Sequence, residues 1–220
     1  SLYYGNWDLV LADLGNIPEG TTQEDTFIAI RETVSFLMKQ GIIPVFLASG
    51  VENTYALYRA FDSMEQMVNL ACVSPLFGFG DEYEIFSEDS YMSRILMETP
   101  THLNHFSNIG YQTYYNPQES KDLLDKMFFE SYRLGEITSY MEQVEPILRN
   151  TDLVSIDMAG VQAADIDMPQ GYVNGFSARE ICAISRYAGL SSQTAVLGLF
   201  NVPTSVRGRM LIGEVIWYFI

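Results

Sequence analysis

The chain has 220 residues, of which 48% are hydrophobic, and this is enough to build one folded domain around a core. Its 28 Asp and Glu residues against 12 Lys and Arg give a formal net charge of −16, which repels the phosphates of a nucleic acid. No apolar run reaches the roughly 20 residues of a membrane span, and the N-terminus lacks the pattern of a signal peptide. We therefore expect a cytoplasmic protein that binds neither nucleic acid nor membrane.

Two cysteines, Cys72 and Cys182, lie within apolar runs and lack the spacing of metal ligands. We expect buried free thiols and no disulfide, as is usual in a reducing compartment. The chain begins within a few residues of one apolar run and stops inside another, MLIGEVIWYFI. We therefore expect a single domain over residues 1–220 that is truncated at both ends.

Strand and helix patterns alternate from the N-terminus. Residues 7–13, WDLVLAD, form a short apolar run typical of a strand buried on both faces. A helix is predicted next, with a capping box formed by Thr21 and Glu24 and a stop at Gly41. A strand over residues 43–48 follows.

The rest of the chain continues this alternation. Helices are predicted over residues 53–61, 91–97, from 117, over 137–148 and 177–189, and at the C-terminus, and strands over residues 68–73, 106–110, 128–134, 153–157 and 195–200. Consecutive parallel strands need crossover connections, which the intervening helices supply. The sequence therefore predicts an α/β fold with a mostly parallel sheet and helices on both faces.

Ligands of open α/β sheets bind outside the carboxyl ends of the strands. Three such ends are informative: SGVENTYALYRA follows the strand over residues 43–48, SPLFGFGDEYE follows residues 68–73, and DMAGVQAAD ends the LVSID strand. In their order along the chain they resemble the ureohydrolase superfamily of arginase, agmatinase and formimidoylglutamase, most closely bacterial formimidoylglutamase-like proteins. The match covers most of the chain, including WDLVLADLGNIPEG, EPILRNTDLVSID and NGFSAREICAISRYAGLS.

The resemblance implies a three-layer arginase-like fold and an activity that depends on two manganese ions bridged by hydroxide. Histidines and aspartates at the three strand ends would hold these ions. The positions that correspond to six of those ligands are Val51, then Ser74, Leu76 and Gly78, and finally Asp157 and Ala159.

Only Asp157 of these six retains a ligand side chain. Moving the second motif three residues earlier places Ala71, Val73 and Pro75 at its ligand positions, so the outcome does not depend on the alignment. Two adjacent cations need several oxygen or imidazole ligands to offset their repulsion. We therefore expect the ancestral manganese site to be lost, with no cofactor.

The six positions and the neighbouring Glu52 are expected to surround one pocket. The first hypothesis is a catalytically inactive pseudoenzyme that acts as a scaffold, a partner-binding or a ligand-sensing subunit. The second is a hydrolase of linear amidine or guanidine C–N bonds, with an oxygen site rebuilt from Asp157, Glu52 or Asp81. The ligand losses favour the first hypothesis.

Other candidate residues have simpler interpretations. Asp157 at a strand end is expected to accept backbone N–H bonds from the following loop. His102 and His105 have the spacing of a ligand pair, but they are expected to be surface or capping residues. Asp165 and Asp167 are expected to lie in a solvated loop.

Aromatic residues mark two further places. Tyr111, Tyr114 and Tyr115 either line a pocket or finish a strand, and the second is the usual outcome. The C-terminal residues Ile216, Trp217, Tyr218 and Phe219 form an apolar run that ends at Ile220. Because arginase-like proteins commonly assemble, this run predicts a homo-oligomer, whereas packing under absent segments of the chain would leave a monomer.

Overall fold

The computed structural model describes residues 9–80, 90–168 and 171–220. The strands in these ranges are β1 (Val45–Leu47), β2 (Val68–Val73), β3 (Leu103–Tyr111), β4 (Glu130–Arg133), β5 (Leu153–Asp157) and β6 (Val196–Phe200). The helices are α1 (Gln23–Lys39), α2 (Asn53–Arg59), α3 (Tyr91–Met97), α4 (Gln118–Lys126), α5 (Leu134–Ser139), α6 (Val144–Leu148), α7 (Ala163–Ile166), α8 (Ala178–Leu190) and α9 (Val206–Phe219). None of the described helices has the length and apolar character that a bilayer crossing demands.

The six strands form one sheet in the order β1-β6-β5-β2-β3-β4, and every neighbouring pair is parallel. All residues of β5 and β6 are buried, as expected for apolar strands in the middle of a covered sheet. Parallel pairing sends the carboxyl ends of all six strands to the same edge. The ends of β2, β5 and β6 are therefore neighbours in space.

Helices cover both faces of the sheet and enclose two apolar layers. Buried residues of α1, α2 and α3 pack on one face, and those of α5, α6, α8 and α9 pack on the other. Successive residues of β2 alternate between the two layers, since Leu70 and Cys72 face the first while Ala71 and Val73 face the second. The expected three-layer α/β fold is confirmed.

Several element predictions need correction. Of the strand predicted over residues 7–13, Trp7 and Asp8 lie outside the described residues. Residues 9–13 form no strand and pair with none of the described sheet, and Val10 is 94% exposed. The capping box of α1 uses Thr22 and Asp25 in place of Thr21 and Glu24. These adjacent pairs have the same spacing, and only the geometry of the first turn distinguishes them.

The single helix predicted over residues 137–148 is two helices, α5 and α6, joined by a 3₁₀ turn at Met141–Gln143. Proline has no N–H and is tolerated in the first turn of a helix but not in its interior. A new helix that begins at Val144 places Pro146 within its first turn, which accounts for the break.

Helix α3 is fixed to its neighbours by Arg94. The guanidinium lies 3.8 Å from the centre of the Tyr55 ring and makes ion pairs of 2.7 Å with Glu24 of α1 and with Glu98. The Tyr55 hydroxyl also donates a hydrogen bond to Glu98. Arg94 thus joins α1, α2 and α3 through a stacked ring and two carboxylates.

These contacts predict how stability changes in acid. Burial alone would raise the pKa of Glu98, but hydrogen bonds from Tyr55 and Arg94 lower it below its ordinary value of 4.5. As the pH falls, Glu98 therefore becomes protonated in the unfolded chain before it does in the folded protein. The stabilisation from the ionised Glu98 is present above about pH 4.5 and is lost as the pH falls through the folded pKa. We expect the free energy of unfolding, measured by urea denaturation from pH 6 to pH 3, to decline less steeply in Glu98→Gln than in the wild type. Glu142→Gln, on the exposed 3₁₀ turn, is the control, and a decline in Glu98→Gln as steep as in the wild type would contradict the prediction.

Candidate functional site

A depression of about 340 Å³ lies at the edge of the sheet where the strands end. Its described lining residues are Val51, Ser74, Leu76, Gly78, Tyr91, Asp157, Ala159, Met168, Tyr172 and Asn201. Five of them are apolar or glycine, two are tyrosines, and Asp157 is the one with a formal charge. A small cavity lined mainly by apolar and aromatic side chains, with a few polar groups, is typical of small-molecule sites.

Strand register brings the polar residues of the pocket together. Val73 at the end of β2 pairs with Ile156 of β5, and Asp157 pairs with Phe200 at the end of β6. Ser74, Asp157 and Asn201 therefore follow one another across three adjacent strand ends.

The structure places six of the seven residues singled out in the sequence around this depression. They are Val51, Ser74, Leu76, Gly78, Asp157 and Ala159. Glu52 does not line it, because its carboxylate folds over the backbone of Gly50 and accepts a hydrogen bond of 3.4 Å from Asn53. Asp81 lies outside the described residues.

Asp157 is only 5% exposed, and its carboxylate accepts hydrogen bonds from three of the described residues. Its Oδ1 accepts from the backbone N–H of Ala159 at 2.9 Å and from Nδ2 of Asn201 at 2.8 Å. Its Oδ2 accepts from the hydroxyl of Ser74 at 3.2 Å. The predicted capping role of Asp157 is confirmed, since the residue is the N-cap of the 3₁₀ turn Met158–Gly160.

The ring of Tyr91 fills the space beside Gly78. A Cβ atom on Gly78 would lie 2.5 Å from Cε1 and 2.7 Å from Cζ of that ring, and the backbone of Gly78 has a φ of +75°. A left-handed backbone and a ring at this distance both favour glycine. The residue that stands in a ligand position of the second motif therefore has no room for a side chain while Tyr91 keeps its place.

Sequence reasoning missed four lining residues: Tyr91, Met168, Tyr172 and Asn201. Residues 79–90 separate Tyr91 from its spatial neighbour Gly78 along the chain, and no local pattern connects the two. Asn201 could have been suspected from the sequence, because it directly follows a buried strand and asparagine tolerates a left-handed backbone better than most residues. Its φ is indeed 50°. That conformation accompanies the contact of its amide with Asp157.

The other candidates lie apart from the pocket lining. The Nε2 atom of His102 is 3.9 Å from Asp62, whereas that of His105 is 3.3 Å from Glu130, so the two histidines face different carboxylates. Asp165 lies in α7 and not in the predicted solvated loop, and its carboxylate accepts a hydrogen bond of 2.8 Å from the N–H of Ala178 at the start of α8.

The two cysteines are buried free thiols, as predicted. Burial raises the pKa of Cys72 to about 12 and that of Cys182 to about 11. Thiols with such high pKa values are protonated at neutral pH and are poor nucleophiles.

The tyrosines predicted to finish a strand divide into two groups. Tyr111 is the last residue of β3 and is buried against Phe77, with ring centres 4.9 Å apart. Tyr114 and Tyr115 lie beyond the strand, and the ring of Tyr115 packs against that of Tyr172 at 4.6 Å. Tyr115 therefore supports a residue of the pocket wall.

The described residues that line the pocket do not by themselves supply the ligands of a pair of manganese ions. No group of three or more His, Cys, Asp or Glu residues in the described part of the chain is arranged to hold a metal. Among the described lining residues the one carboxylate is that of Asp157, which already accepts three hydrogen bonds. Hydroxyl and amide groups alone would leave two adjacent cations without the anionic ligands that they need.

Neither a protein-family model nor a curated protein matches this sequence. Solved structures do match it. Trypanosoma cruzi formiminoglutamase with Mn²⁺ is 14% identical with a TM-score of 0.82, over 91% of this chain and 72% of that one. Bacillus subtilis formimidoylglutamase is 14% identical with a TM-score of 0.80, over 94% and 70% of the two chains.

An arginase from Bacillus cereus is 13% identical with a TM-score of 0.74, over 89% of this chain and 76% of that one. Identities this low establish similarity of fold and leave activity open. The resemblance seen in the sequence is confirmed at this level: the described chain has the α/β fold of formiminoglutamase and arginase.

Proposed function

We propose that this protein is a ureohydrolase-superfamily pseudoenzyme, which keeps the fold and its strand-end pocket but has lost the manganese ligands and the hydrolytic activity. The observation that carries this proposal is the set of hydrogen bonds that the Asp157 carboxylate accepts. The one ligand position that retains a carboxylate uses that carboxylate to accept three hydrogen bonds from within the protein.

The second motif supports the same conclusion. Restoring an acid at Gly78 would need a side chain where the Tyr91 ring lies. Val51, in the position of the first-motif histidine, belongs to the apolar cluster on one face of the sheet. These two positions are thus used for packing.

A role in binding a small organic ligand fits the pocket better than a role as a featureless scaffold. About 340 Å³ is within the usual size of small-molecule sites, and the walls combine apolar groups with the polar atoms of Ser74, Tyr172 and Asn201. We therefore place ligand sensing ahead of partner binding among the non-catalytic roles.

A hydrolase with a rebuilt metal site is the second candidate. Glu52 is the observation in its favour, since this carboxylate lies directly beside Val51. Its contacts with Gly50 and Asn53 direct it along the backbone, and it does not line the pocket. This candidate would require Glu52 to turn toward Asp157.

Metal analysis tests the proposal directly. We expect the purified protein, dialysed against MnCl₂ and then against buffer, to retain far less than one manganese per chain by plasma mass spectrometry. We also expect no release of urea or formamide from arginine, agmatine or formimidoylglutamate. A dimanganese formiminoglutamase treated in parallel is the control, and either stoichiometric manganese or product formation above the blank would refute the proposal.

The packing of Tyr91 against Gly78 predicts how much stability the protein loses when a methyl group is added at position 78. Gly78→Ala should lower the free energy of unfolding by about 1–2 kcal/mol for the left-handed backbone and by a further 1–3 kcal/mol for displacing the ring. Gly41→Ala is a matched control, because Gly41 has a φ of +72° and no atom within 4 Å of its Cβ position. Urea denaturation of both variants measures the difference, and equal losses would show that the Tyr91 ring imposes no constraint.

The C-terminal helix generates a prediction about assembly. Trp217 and Tyr218 on α9 are 39% and 43% exposed and pack against each other with ring centres 5.4 Å apart. Burying a large side chain is worth about 1.5–3 kcal/mol, whereas charge repulsion is screened beyond about 8 Å at physiological salt. We therefore propose a homo-oligomer that uses this surface and that dissociates as ionic strength falls, because the net charge of −16 then acts over a longer range.

Light scattering at low and moderate salt tests this assembly. The double variant Trp217→Ala/Tyr218→Ala should be monomeric at both salt concentrations. Phe36→Ala is the control, since Phe36 is an exposed aromatic residue on α1, across the sheet from α9. A wild-type monomer at moderate salt would rule the proposal out.

A further inference from the structure

The carboxylate of Asp157 joins three separate strand ends. Ser74 follows β2, Ala159 follows β5, and Asn201 follows β6, and each donates a hydrogen bond to this one group. Parallel strands have no hairpin turns at their ends, so beyond the backbone pairing of the sheet, which reaches Asp157 and Phe200, no turn holds such ends together. A shared acceptor does so.

We infer that Asp157 acts as a positioning residue that cross-links the ends of β2, β5 and β6 and thereby fixes the shape of the pocket. In a metalloenzyme of this fold, as the resemblance implies, ions bound at the same ends would tie the strands together. Here three hydrogen bonds to one carboxylate take over that task. The inference rests on one part of the proposed function, namely that no metal ion occupies the pocket.

The donors are held so that they converge on the carboxylate. The Ser74 hydroxyl accepts a hydrogen bond of 3.2 Å from the N–H of Leu76, which orients its own hydrogen toward Asp157. Asn201 adopts a φ of 50°, a conformation that asparagine tolerates better than most residues. The orientation of each donor is thus fixed within its own loop.

The cross-link extends to the strands on either side. The N–H of Ser74 donates to the carbonyl of Ile109 on β3 at 3.1 Å. On the other side, the N–H of Val202 donates to the carbonyl of Ala48, directly after β1, at 3.3 Å. Five of the six strand ends are therefore connected through the neighbours of a single carboxylate.

The buried position makes this arrangement costly to lose. Hydrogen bonds to a carboxylate are stronger than those between neutral groups, and a buried donor without an acceptor is destabilising. Removing the carboxylate would deprive the Ala159 N–H, the Asn201 amide and the Ser74 hydroxyl of their shared acceptor at once. Removing one donor would leave the other two bonds in place.

A set of variants measured by thermal unfolding in metal-free buffer tests the inference. Asp157→Ala should lower Tm by about 6–12 °C, while Ser74→Ala and Asn201→Ala should each lower it by less. Asp157→Asn keeps the volume and part of the acceptor capacity, so its Tm should lie between those of the wild type and Asp157→Ala. The control is Asp167→Asn, because the left-handed backbone of Asp167 (φ 53°) also accommodates asparagine and the change should leave Tm unaltered.

Coupling between the residues distinguishes a cross-link from ordinary packing. Ser74→Ala and Asn201→Ala should lose most of their effect in the Asp157→Asn or Asp157→Ala background, since the bond that they remove is already weakened or absent. Additive losses, or a Tm of Asp157→Ala equal to that of the control, would overturn the inference.

Manganese separates this inference from the proposed function. Adding MnCl₂ should leave the Tm of the wild type unchanged. A rise in the wild type that disappears in Asp157→Ala would refute the proposed loss of the metal site. The cross-link would still be judged by the metal-free measurements alone.

Discussion

Parallel pairing of the strands is the constraint on which this site depends. It brings the ends of six strands to one edge without any turn to join them, so residues distant in the sequence must hold that edge together. In this chain the carboxylate of Asp157 and its three donors occupy the middle of the edge. The shape of the pocket follows from how those ends are held.

The polar and apolar parts of the pocket have different origins. Ser74, Asp157 and Asn201 come from adjacent strand ends and bond to one another. Tyr91 comes from α3, on the helical layer above, and uses the space that Gly78 leaves. The pocket is thus closed by two kinds of contact, hydrogen bonds from protein donors to one carboxylate and a ring packed against a glycine.

Sequence patterns predicted the centre of the molecule better than its margins. Residues 68–73, 91–97 and 153–157 form the predicted elements with the predicted bounds, because buried apolar runs and clear stop signals leave little choice. The run over residues 9–13 carries an equally strong pattern, but a strand needs a partner and the described sheet supplies none. The pocket residues on motif strands could be found in the sequence, whereas Tyr91 and Asn201 enter it through tertiary contacts that no spacing encodes.

Helix α3 gives the pocket a connection to the outer surface. Tyr91 stands at the start of this seven-residue helix, and Arg94 lies one turn further on, paired with Glu24 on the neighbouring helix. The Glu24 side chain is 57% exposed, so ions in solution reach this pair. The helix that supplies one wall residue of the pocket is therefore tied to a charge in contact with solvent, and a substitution at position 24 would remove one of the contacts that hold this helix.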